Sequence, residues 1–227
     1  MKITIVGGGS YCWTPTLFRN IICTPGLEGS EIVLEDINKK NLSDLHKCCK
    51  VILAQLKKSR QFTLKATTNA EQALRGADYV ILTITTGAYD SMENDLKIPY
   101  KYGIWQPVGD TVGPGGISRA LRNIPVVVKL AKQMEKYCPN AWILNITNPM
   151  STLTRSVWRE TDVRCIGLCH ELYGTLHRLQ AAVYRELGVD HLEVLAHRVD
   201  RDHEASGDLS RGEAGGDQPK DLELTLA

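Results

Sequence analysis

The first ten residues, MKITIVGGGS, constrain the fold more than any other stretch. Lys2–Val6 is a short apolar and β-branched run that predicts a strand, and it leads directly into Gly7, Gly8 and Gly9. The stretch Thr14–Cys23 predicts a helix with a proline near its start, where the missing N–H costs least. A strand, a glycine turn and a helix in this order are typical of a dinucleotide-binding fold.

Two glycines in this turn have separate roles in such a fold. Gly7 permits the tight bend, and Gly9 allows the backbone to approach a pyrophosphate, which the free N–H groups of the helix N-terminus would stabilise. Cys12 occupies the third glycine position of the usual G-x-G-x-x-G pattern. A glycine-rich turn without a ligand is therefore the alternative interpretation.

An acidic residue strengthens the nucleotide interpretation. The stretch Glu31–Asn38 (EIVLEDIN) predicts the second strand and its exit, with Asp36 after the apolar part. An acid at this place accepts hydrogen bonds from a ribose 2′-hydroxyl and repels a 2′-phosphate. The pattern therefore favours NAD over NADP.

The totals exclude several classes of protein. The chain has 227 residues, enough for one large domain or for one domain with a fragment, and its net charge is +1. No basic excess favours nucleic acid or a membrane surface, and no run approaches the ~18 apolar residues of a membrane span or has a signal-peptide layout. Seven cysteines at irregular spacing, without a C-x-x-C pair, indicate reduced thiols. We expect a soluble, cytoplasmic protein.

Strand-like and helix-like stretches alternate along the chain. This alternation predicts an α/β fold with a Rossmann-like, doubly wound, mostly parallel sheet. Beyond the first two, the predicted strands are Phe62–Thr67, Tyr79–Thr85, Ala141–Met150 with its exit turn, Arg164–Glu171 and His191–Val199. Beyond the first, the predicted helices are Asn38–Lys58, Asn69–Gly76, Ile117–Tyr137, Thr152–Glu160 and Leu176–Leu187.

A long loop, Thr85–Gly116, is predicted at the carboxyl edge of the sheet, where such folds bind ligands. Its aromatic residues are Tyr89, Tyr100, Tyr102 and Trp105. They suit either stacking against a sugar ring or the small core of a folded-over lid. The GPGG stretch (113–116) is predicted to end the loop before the helix, and Pro125 to kink or break that helix.

Two further strand ends carry chemically active side chains. Asn145 and Asn148 follow one strand, and an Asn before Pro149 is held extended, so that its side chain can point into a ligand cleft. A turn-forming Asn-Pro pair is the alternative. Cys169 and His170 follow the next strand, where a thiolate and an imidazole can bind a divalent metal. A buried cysteine beside a surface histidine is the alternative there.

Together these motifs resemble the N-terminal half of glycoside hydrolase family 4, the NAD- and divalent-metal-dependent glycosidases. The resemblance runs from Met1 to about His197. It rests on GGGS with Asp36, and on the stretches IPYKYG, GDTVGPGGISRALRNIPV, NITNPM and GLCHE. It is nearest to the α-galacturonidase- and α-galactosidase-type members, because CHEL (169–172) is similar to the CHEV signature of the former.

The resemblance implies a mechanism outside the usual pair of carboxylates. The nicotinamide takes a hydride from C3 of the sugar, and the ketone, polarised by a metal ion, acidifies the proton on C2. A base removes that proton, the aglycone leaves by elimination, and water adds before the hydride returns. The implied cofactors are NAD and a divalent metal such as Mn²⁺. The implied partner is a small-molecule glycoside, and full-length relatives are expected to be homo-oligomers.

The functional positions of the family carry over one by one. The implied cofactor contacts are Gly7, Gly9, Ser10 and Asp36. Asn148 matches the sugar-binding asparagine, and Cys169 matches the metal-binding cysteine. His170 matches the position that is associated with substrate type and leaving-group departure, and Asp110 matches an acid near the metal. The implied catalytic residues are therefore His170 and Asp110.

The loop before IPYKYG indicates the substrate class. Members that act on phosphorylated sugars carry an arginine there, because a guanidinium binds phosphate oxygens in a bidentate fork. Met92 stands at that position here, and no arginine occurs in Gly87–Gly103. We therefore expect a non-phosphorylated α-galacturonide or α-galactoside. Candidates for binding a uronate carboxylate are Lys97, Lys101 and Arg119.

The resemblance weakens near the end of the chain. The nearest counterpart of the second metal ligand is His197, whose neighbours do not match the family. The family's following, mostly helical region, with the tyrosine proposed as the C2 base, has no counterpart, and residues 198–227 resemble a disordered or out-of-frame tail. We expect a domain over residues 1–197. The truncation hypothesis is that this chain is an inactive product, which keeps nucleotide binding but lacks the base, a complete metal site and much of the dimer surface.

Two other functions stay open from the sequence. A dehydrogenase of the lactate or malate type shares the opening fold, and it would show net reduction of NAD by its substrate. A non-catalytic nucleotide-binding remnant would bind the nucleotide without turnover, even when metal is supplied.

Overall fold

The structure, a computed structural model, describes residues 1–106, 108–169 and 171–186. Its strands are β1 (Lys2–Val6), β2 (Glu31–Glu35), β3 (Thr63–Thr67), β4 (Tyr79–Leu82), β5 (Trp142–Asn145) and β6 (Arg164–Gly167). Its helices are α1 (Thr14–Cys23), α2 (Lys39–Gln55), α3 (Ala70–Leu74), α4 (Ala88–Tyr100), α5 (Gly113–Tyr137), α6 (Met150–Glu160) and α7 (Glu171–Glu186).

The six strands form one parallel sheet in the order β3-β2-β1-β4-β5-β6. This is a Rossmann-like, doubly wound sheet, as the alternation of elements predicts. The last paired residues form a single row across the sheet: Thr67, Glu35, Val6, Leu82, Asn145 and Gly167. All the strand exits therefore lie along one edge of the sheet. Strands β2 and β3 are added on one side of β1 and strands β4 to β6 on the other, so the topological switch point lies between β1 and β4.

Two hydrophobic cores cover the two faces of the sheet. On one face, Ile3 and Ile5 of β1 pack with Phe18 of α1 and Leu42 of α2. On the other face, the core joins Val6 and strand residues of β4 to β6 with α5 and α6. Strand residues that alternate between the faces thus supply both cores, which fixes the register of the sheet.

The prediction of a loop over Thr85–Gly116 is wrong for much of this segment, because residues 88–100 form α4. The inner face of α4 combines the buried Asp95 and Pro99 with the half-buried Met92 and Leu96, so a charged residue and a proline obscure the apolar period that predicts a helix. Gly87 precedes α4 with φ +83°, and the structure gives Ala88 φ +50°. Contacts with α5 stabilise a helix that the local sequence does not signal.

The GPGG stretch is part of α5, which begins at Gly113 rather than at the predicted Ile117. A Cβ on Gly115 would lie 2.5 Å from the Gly109 carbonyl oxygen, and one on Gly116 would lie 2.5 Å from the Thr111 carbonyl carbon. These two glycines are needed for close packing of the preceding segment on α5. The predicted break at Pro125 does not occur, since α5 continues to Tyr137.

Other boundaries differ by a few residues. Strands β4 and β6 end three and four residues before their predicted ends, and α7 begins at Glu171 rather than at Leu176. The predicted strand His191–Val199 and the tail 198–227 lie outside the described residues, so the expected domain boundary at 197 stays a prediction. The sheet belongs to a compact unit, Met1–Arg178; of a second unit, Leu179–Ala227, residues 179–186 are described as helix.

None of the described helices is long and apolar enough to cross a membrane. All seven cysteines lie within the described residues and none forms a disulfide, as the irregular spacing predicts.

Candidate functional site

The glycine turn begins at the topological switch point of the sheet, between β1 and β4. Gly7 has φ +92°, and a Cβ there would lie 1.9 Å from the carbonyl oxygen of Thr83, which follows β4. Both the backbone conformation and the close approach require glycine. The backbone N–H groups of Gly7 and Gly8 donate to the Glu35 carbonyl oxygen at 2.9 and 2.7 Å. The turn is thus fixed to both neighbouring strands.

Asp36 lies directly beside this turn. Its Oδ2 accepts a hydrogen bond from the Gly9 N–H at 2.9 Å, and its Oδ1 accepts one from the Asn38 N–H at 2.7 Å. A Cβ on Gly9 would lie 2.7 Å from Asp36 Oδ2, so this contact depends on glycine. The structure brings together the glycine and the acid that the sequence analysis assigned to one site.

Ser10 connects the turn to α1. Its Oγ accepts a hydrogen bond from the Trp13 N–H at 3.2 Å, and its carbonyl oxygen accepts from the Thr14 N–H at 3.0 Å. These bonds set the direction in which α1 leaves the turn, with Pro15 in its first turn. The N-terminus of α1 therefore starts at the carboxyl edge of the sheet.

Glu35 is a buried acid at the same edge that the sequence analysis did not single out. Its side chain is 5% exposed, and burial, followed by the negative charge of Asp36, raises its pKa to about 7. Successive strand residues point to opposite faces. The sequence contained a signal for this buried acid. Glu35 and Asp36 are consecutive at the end of an apolar strand, so one of the two side chains must point towards the interior.

A second cluster forms where β5 ends. Thr147 Oγ1 donates to the Leu82 carbonyl oxygen at 3.1 Å and accepts from the Ile84 N–H at 3.0 Å, so it fastens the β5 exit to the β4 exit. Asn145 Oδ1 accepts from the Thr147 N–H at 2.9 Å. The peptide between Asn148 and Pro149 is cis. The hydrogen bonds of Thr147 and Asn145 hold the NITNP turn at the sheet edge.

Asn148 is held at both ends of its side chain. Its Nδ2 donates to Asp110 Oδ2 at 3.0 Å, and its Oδ1 accepts from the Met150 N–H at 3.3 Å. Its carbonyl oxygen accepts from Arg119 Nε at 3.3 Å and from Asn123 Nδ2 at 2.9 Å. The structure thus brings Asn148 and Asp110, two of the predicted site residues, into direct contact.

Asn123 of α5 is fully buried and bridges two strand exits. While its Nδ2 donates to the Asn148 carbonyl oxygen, its Oδ1 accepts from the Thr86 N–H at 3.3 Å. The sequence analysis missed this residue, because a lone Asn within an amphipathic helix is read as polar surface. Its position on the same stripe as the buried Ala120 and Val127 was the available signal.

Asp95 and Arg122 join α4 to α5. Arg122 Nη1 donates to Asp95 Oδ1 at 2.9 Å and Nη2 pairs with Asp95 Oδ2, so the contact is bidentate. Arg122 Nη1 also donates to Ser118 Oγ at 2.8 Å. The hydrogen bond from Arg122 lowers the pKa of Asp95, and the same bond raises the pKa of Arg122. This pair fixes the helix that the sequence analysis read as a loop.

The predicted metal and leaving-group residues are only partly described. Cys169 follows β6 and is exposed, so the alternative of a buried cysteine is wrong. His170 and His197 lie outside the described residues. Within residues 1–106, 108–169 and 171–186, no group of three or more His, Cys, Asp or Glu side chains could hold a metal ion. The described donors alone do not form a complete metal centre.

The aromatic residues between β4 and α5 lie on the surface. The Tyr100 and Trp105 rings meet edge to face, with centroids 4.0 Å apart. Trp105 is 72% exposed, Tyr102 is 79% exposed and Tyr89 is 80% exposed. The Tyr100–Trp105 pair is a small local contact of the kind expected for a lid, and the exposed faces stay available to a ligand.

Comparison with known proteins assigns the family. Residues 2–185 match the sequence model of the family 4 glycosyl hydrolases. The chain belongs to this family. The match covers the glycine turn, the segment with Asp110, the NITNP turn and Cys169, so all the described candidate residues fall within it.

The similar curated proteins of the family 4 glycosyl hydrolases include glycosidases. An α-galacturonidase of Thermoanaerobacterium saccharolyticum is 37% identical over 193 residues, which are 85% of this chain and 41% of that protein. An α-galactosidase of Bacillus subtilis is 38% identical over 193 residues, 84% of this chain and 43% of that protein. The chain thus spans about two fifths of the length of these relatives.

Solved structures of family 4 glycosyl hydrolases show the same architecture. A putative glucosidase from Bacillus subtilis superposes with a TM-score of 0.72 at 33% identity, covering 83% of this chain and 42% of that one. A 6-phospho-β-glucosidase from Thermotoga maritima, solved with manganese, NAD⁺ and glucose-6-phosphate, gives a TM-score of 0.69 at 30% identity, covering 83% and 44%.

Proposed function

We propose that this chain is the nucleotide-binding part of an NAD- and divalent-metal-dependent glycosidase that acts on non-phosphorylated α-galacturonides or α-galactosides. The observation that carries the proposal is the glycine turn at the switch point of the sheet, with the Gly9 N–H on the Asp36 carboxylate. Membership of the family 4 glycosyl hydrolases supplies the reaction class.

The described residues fit a dinucleotide. A Cβ on Gly7, Gly8 or Gly9 would lie 1.9, 2.9 or 2.7 Å from another atom, so the turn requires residues without side chains, as does close backbone approach to a pyrophosphate. In the proposed complex Asp36 would accept hydrogen bonds from a ribose 2′-hydroxyl. Ser10 accepts a hydrogen bond from the Trp13 N–H at the start of α1. When bound, NAD would supply a hydride acceptor. The Thermotoga maritima relative, solved with NAD⁺, supports this choice of cofactor.

The sugar would lie at the β5 exit. Asn148 offers amide groups for sugar hydroxyls, and its contacts to Asp110, Arg119 and Asn123 hold it in one orientation. Asp110 is 21% exposed in its side chain and can accept a hydrogen bond or a proton there. We also propose that His170 assists the departure of the leaving group.

The divalent metal is proposed from the family and from Cys169. The exposed thiol at the end of β6 is available as a ligand, and Asp110 is an oxygen donor. His197 would complete the set. Cys169 and Asp110 do not by themselves form a group of three donors among the described residues.

The absence of phosphate-binding chemistry on α4 supports a non-phosphorylated sugar. Met92, at the arginine position of the phospho-sugar members, is a half-buried residue of α4. The one cationic residue of α4 is Lys97, and it is paired with Glu93 at 2.5 Å. The α-galacturonidase and α-galactosidase relatives support the same substrate class.

Titration of the purified chain with NAD⁺ and NADP⁺, followed by isothermal calorimetry, tests the cofactor. We expect NAD⁺ to bind at least about tenfold more tightly, because Asp36 repels a 2′-phosphate. Asp36→Ser should weaken NAD⁺ binding and remove the preference. Asp162→Asn removes one negative charge on the exposed turn before β6 and should leave both affinities unchanged. Absence of NAD⁺ binding would refute the proposed function.

Turnover tests the reaction class and the truncation hypothesis. An α-linked digalacturonide is incubated with the chain, NAD⁺ and Mn²⁺, and both released sugar and NADH absorbance are followed. Hydrolysis without net NADH supports the glycosidase and refutes the truncation hypothesis. Net NADH formation would instead indicate a dehydrogenase, and nucleotide binding without turnover would indicate a non-catalytic part.

A further inference from the structure

Glu35 is a buried acid at the cofactor edge of the sheet whose carboxyl has no partner among the described residues. It is the last residue of β2, directly before Asp36, and it is 5% exposed. Its main-chain carbonyl oxygen accepts the N–H groups of Gly7 and Gly8, but its carboxyl forms no hydrogen bond or ion pair with a described residue. A buried polar group of this kind lowers the stability of the folded chain until a ligand or a water completes it.

The Glu35 side chain points to the sheet face opposite α1 and α2. Ile32 and Leu34 of β2 belong to the core that those two helices cover, and side chains alternate along a strand. Glu35 therefore lies on the other face, in the same row as Val6, the residue before the glycine turn. Its carboxyl is thus next to the turn proposed for the pyrophosphate and one residue from the acid proposed for the ribose.

Asp36 is the charged group that acts on this carboxyl. The neighbours of Glu35 in its row, on β1 and β3, are not ionisable. The other charged residues that β1, β2, β3 and α3 place on this face have partners elsewhere: Lys2 on the Gln72 and Arg75 carbonyl oxygens, Lys65 on Glu31, and Arg75 on Glu71. Burial, followed by the negative charge of Asp36, raises the pKa of Glu35 to about 7. The carboxyl is therefore mostly neutral below that pH.

We infer that the neutral carboxyl of Glu35 binds the adenine edge of the dinucleotide, which makes Glu35 the residue that selects the nucleobase. This inference rests on the proposed function, because a ribose on Asp36 carries the base past the end of β2. The O–H of a neutral carboxyl donates to adenine N7 while its C=O accepts from the N6 amino group, which is the pairing that a glutamine amide makes with adenine. An ionised carboxylate only accepts, so it repels the N7 lone pair.

Calorimetric titration of the 227-residue chain with NAD⁺ and with nicotinamide hypoxanthine dinucleotide, at pH 6 and at pH 8, tests the inference. The two dinucleotides differ only in the base, since hypoxanthine carries an oxygen in place of the N6 amino group. At pH 6 we expect NAD⁺ to bind at least about tenfold more tightly than the analogue. At pH 8 the affinity for NAD⁺ should be about tenfold lower than at pH 6, and binding should take up about one proton per site.

Three variants separate the base contact from effects on folding. Glu35→Gln keeps a donor and an acceptor without a titrating proton, so it should keep the preference for NAD⁺ and lose the pH dependence of binding. Glu35→Leu removes both groups and should lose the preference at either pH. Glu31→Gln is the matched control, because Glu31 lies on the same face of β2 and is paired with Lys65, and it should change neither property.

The outcomes distinguish the base contact from the nucleotide site as a whole. Binding of NAD⁺ without a preference over the hypoxanthine analogue overturns the inference and leaves the nucleotide site standing. A preference that survives in Glu35→Leu, or a pH dependence that survives in Glu35→Gln, belongs to another group and also overturns it. The wild-type titrations decide the matter even where a variant fails to fold. Absence of binding of either dinucleotide overturns both the inference and the proposed function.

Discussion

The cofactor side and the sugar side of this sheet edge are built in different ways. On the cofactor side, Gly7 to Gly9 and Asp36 form a site from backbone groups and one carboxylate, within two consecutive strand exits. On the sugar side, Asn148 is held by side chains from α5 and from the segment before it. Both sites join segments that are about 25 to 38 residues apart, but the first depends on backbone groups and one carboxylate, whereas the second depends on several side chains.

This difference has an energetic consequence. A backbone site tolerates few changes at its glycines, because a Cβ on Gly7 would meet the main chain of Thr83 and a Cβ on Gly9 would meet the Asp36 carboxylate of the site itself. A side-chain site depends on a chain of hydrogen bonds, each with a modest net contribution of about 1 kcal/mol, or more where a charge is involved. Substitutions on the two sides should therefore differ in size and in pH dependence.

The largest effect is expected for Gly7→Ala. The alanine would need φ +92° and would place its Cβ 1.9 Å from the Thr83 carbonyl oxygen, so β1 and β4 must separate. We expect a loss of unfolding free energy of about 3 kcal/mol or more, together with loss of NAD⁺ binding. Urea denaturation measures the first and calorimetric titration the second.

Gly26→Ala is the matched control for this substitution. Gly26 has φ +85° but no atom within 4 Å of the added Cβ, so only backbone strain of about 1 kcal/mol is expected. Equal losses in the two variants would show that close approach to Thr83 has no energetic role.

The next effect is expected on the sugar side, for Asp95→Asn. This change leaves Arg122 without its bidentate partner in a mostly buried place, and we expect a loss of about 2 kcal/mol in urea denaturation. Glu93→Gln breaks the Glu93–Lys97 pair on the same helix, where both side chains are at least 60% exposed, and should cost little. Similar losses in both would contradict a special role for the buried pair.

The Asp95 contribution also has a pH dependence. The pKa of Asp95 is lowered in the folded chain from 3.8 by the Arg122 hydrogen bond. Its stabilisation is therefore complete above the unfolded pKa and is lost as the pH falls through the lower folded value. Asp95→Asn should reduce the slope of stability against pH below about pH 4.

An effect of similar size but of the opposite pH sign is expected for Glu35→Gln on the cofactor side. Burial raises the Glu35 pKa to about 7, so the folded chain keeps this proton while the unfolded chain releases it near 4.5. Stability should therefore fall as the pH rises from 4.5 to 7. Relative to the wild type, Glu35→Gln should gain about 2 kcal/mol at pH 8 and almost nothing at pH 4. A gain that is independent of pH would contradict the raised pKa.

The smallest effect is expected for Gly115→Ala. A glycine-to-alanine change inside a helix normally stabilises by about 0.5–1 kcal/mol. Here the Cβ would lie 2.5 Å from the Gly109 carbonyl oxygen, so we expect a net loss of about 1 kcal/mol as the segment with Asp110 shifts away. A raised melting temperature would show that this segment is free to move.

The cofactor side could be predicted because its signals are local. The glycine turn, the helix α1 with its bounds, and Asn38 and Asn69 as helix caps follow from neighbouring residues. The helix α4 was not predicted, because Asp95 and Pro99 interrupt the apolar residues of its inner face, and Asp95 is stabilised there by Arg122 of another helix. The roles of Asn123 and Glu35 were missed for the same reason.

By itself, the sequence determined the parallel sheet, the order of its elements and the residues at each strand exit, since periodicity and turn chemistry act over a few neighbouring residues. It also indicated the family through motifs that the comparisons confirmed. Only the tertiary structure showed that Asn148 forms hydrogen bonds with Asp110 and Arg119, and that Arg122 forms a bidentate pair with Asp95. Such pairings depend on which distant segments lie next to each other in the folded chain, and a local sequence pattern does not predict that.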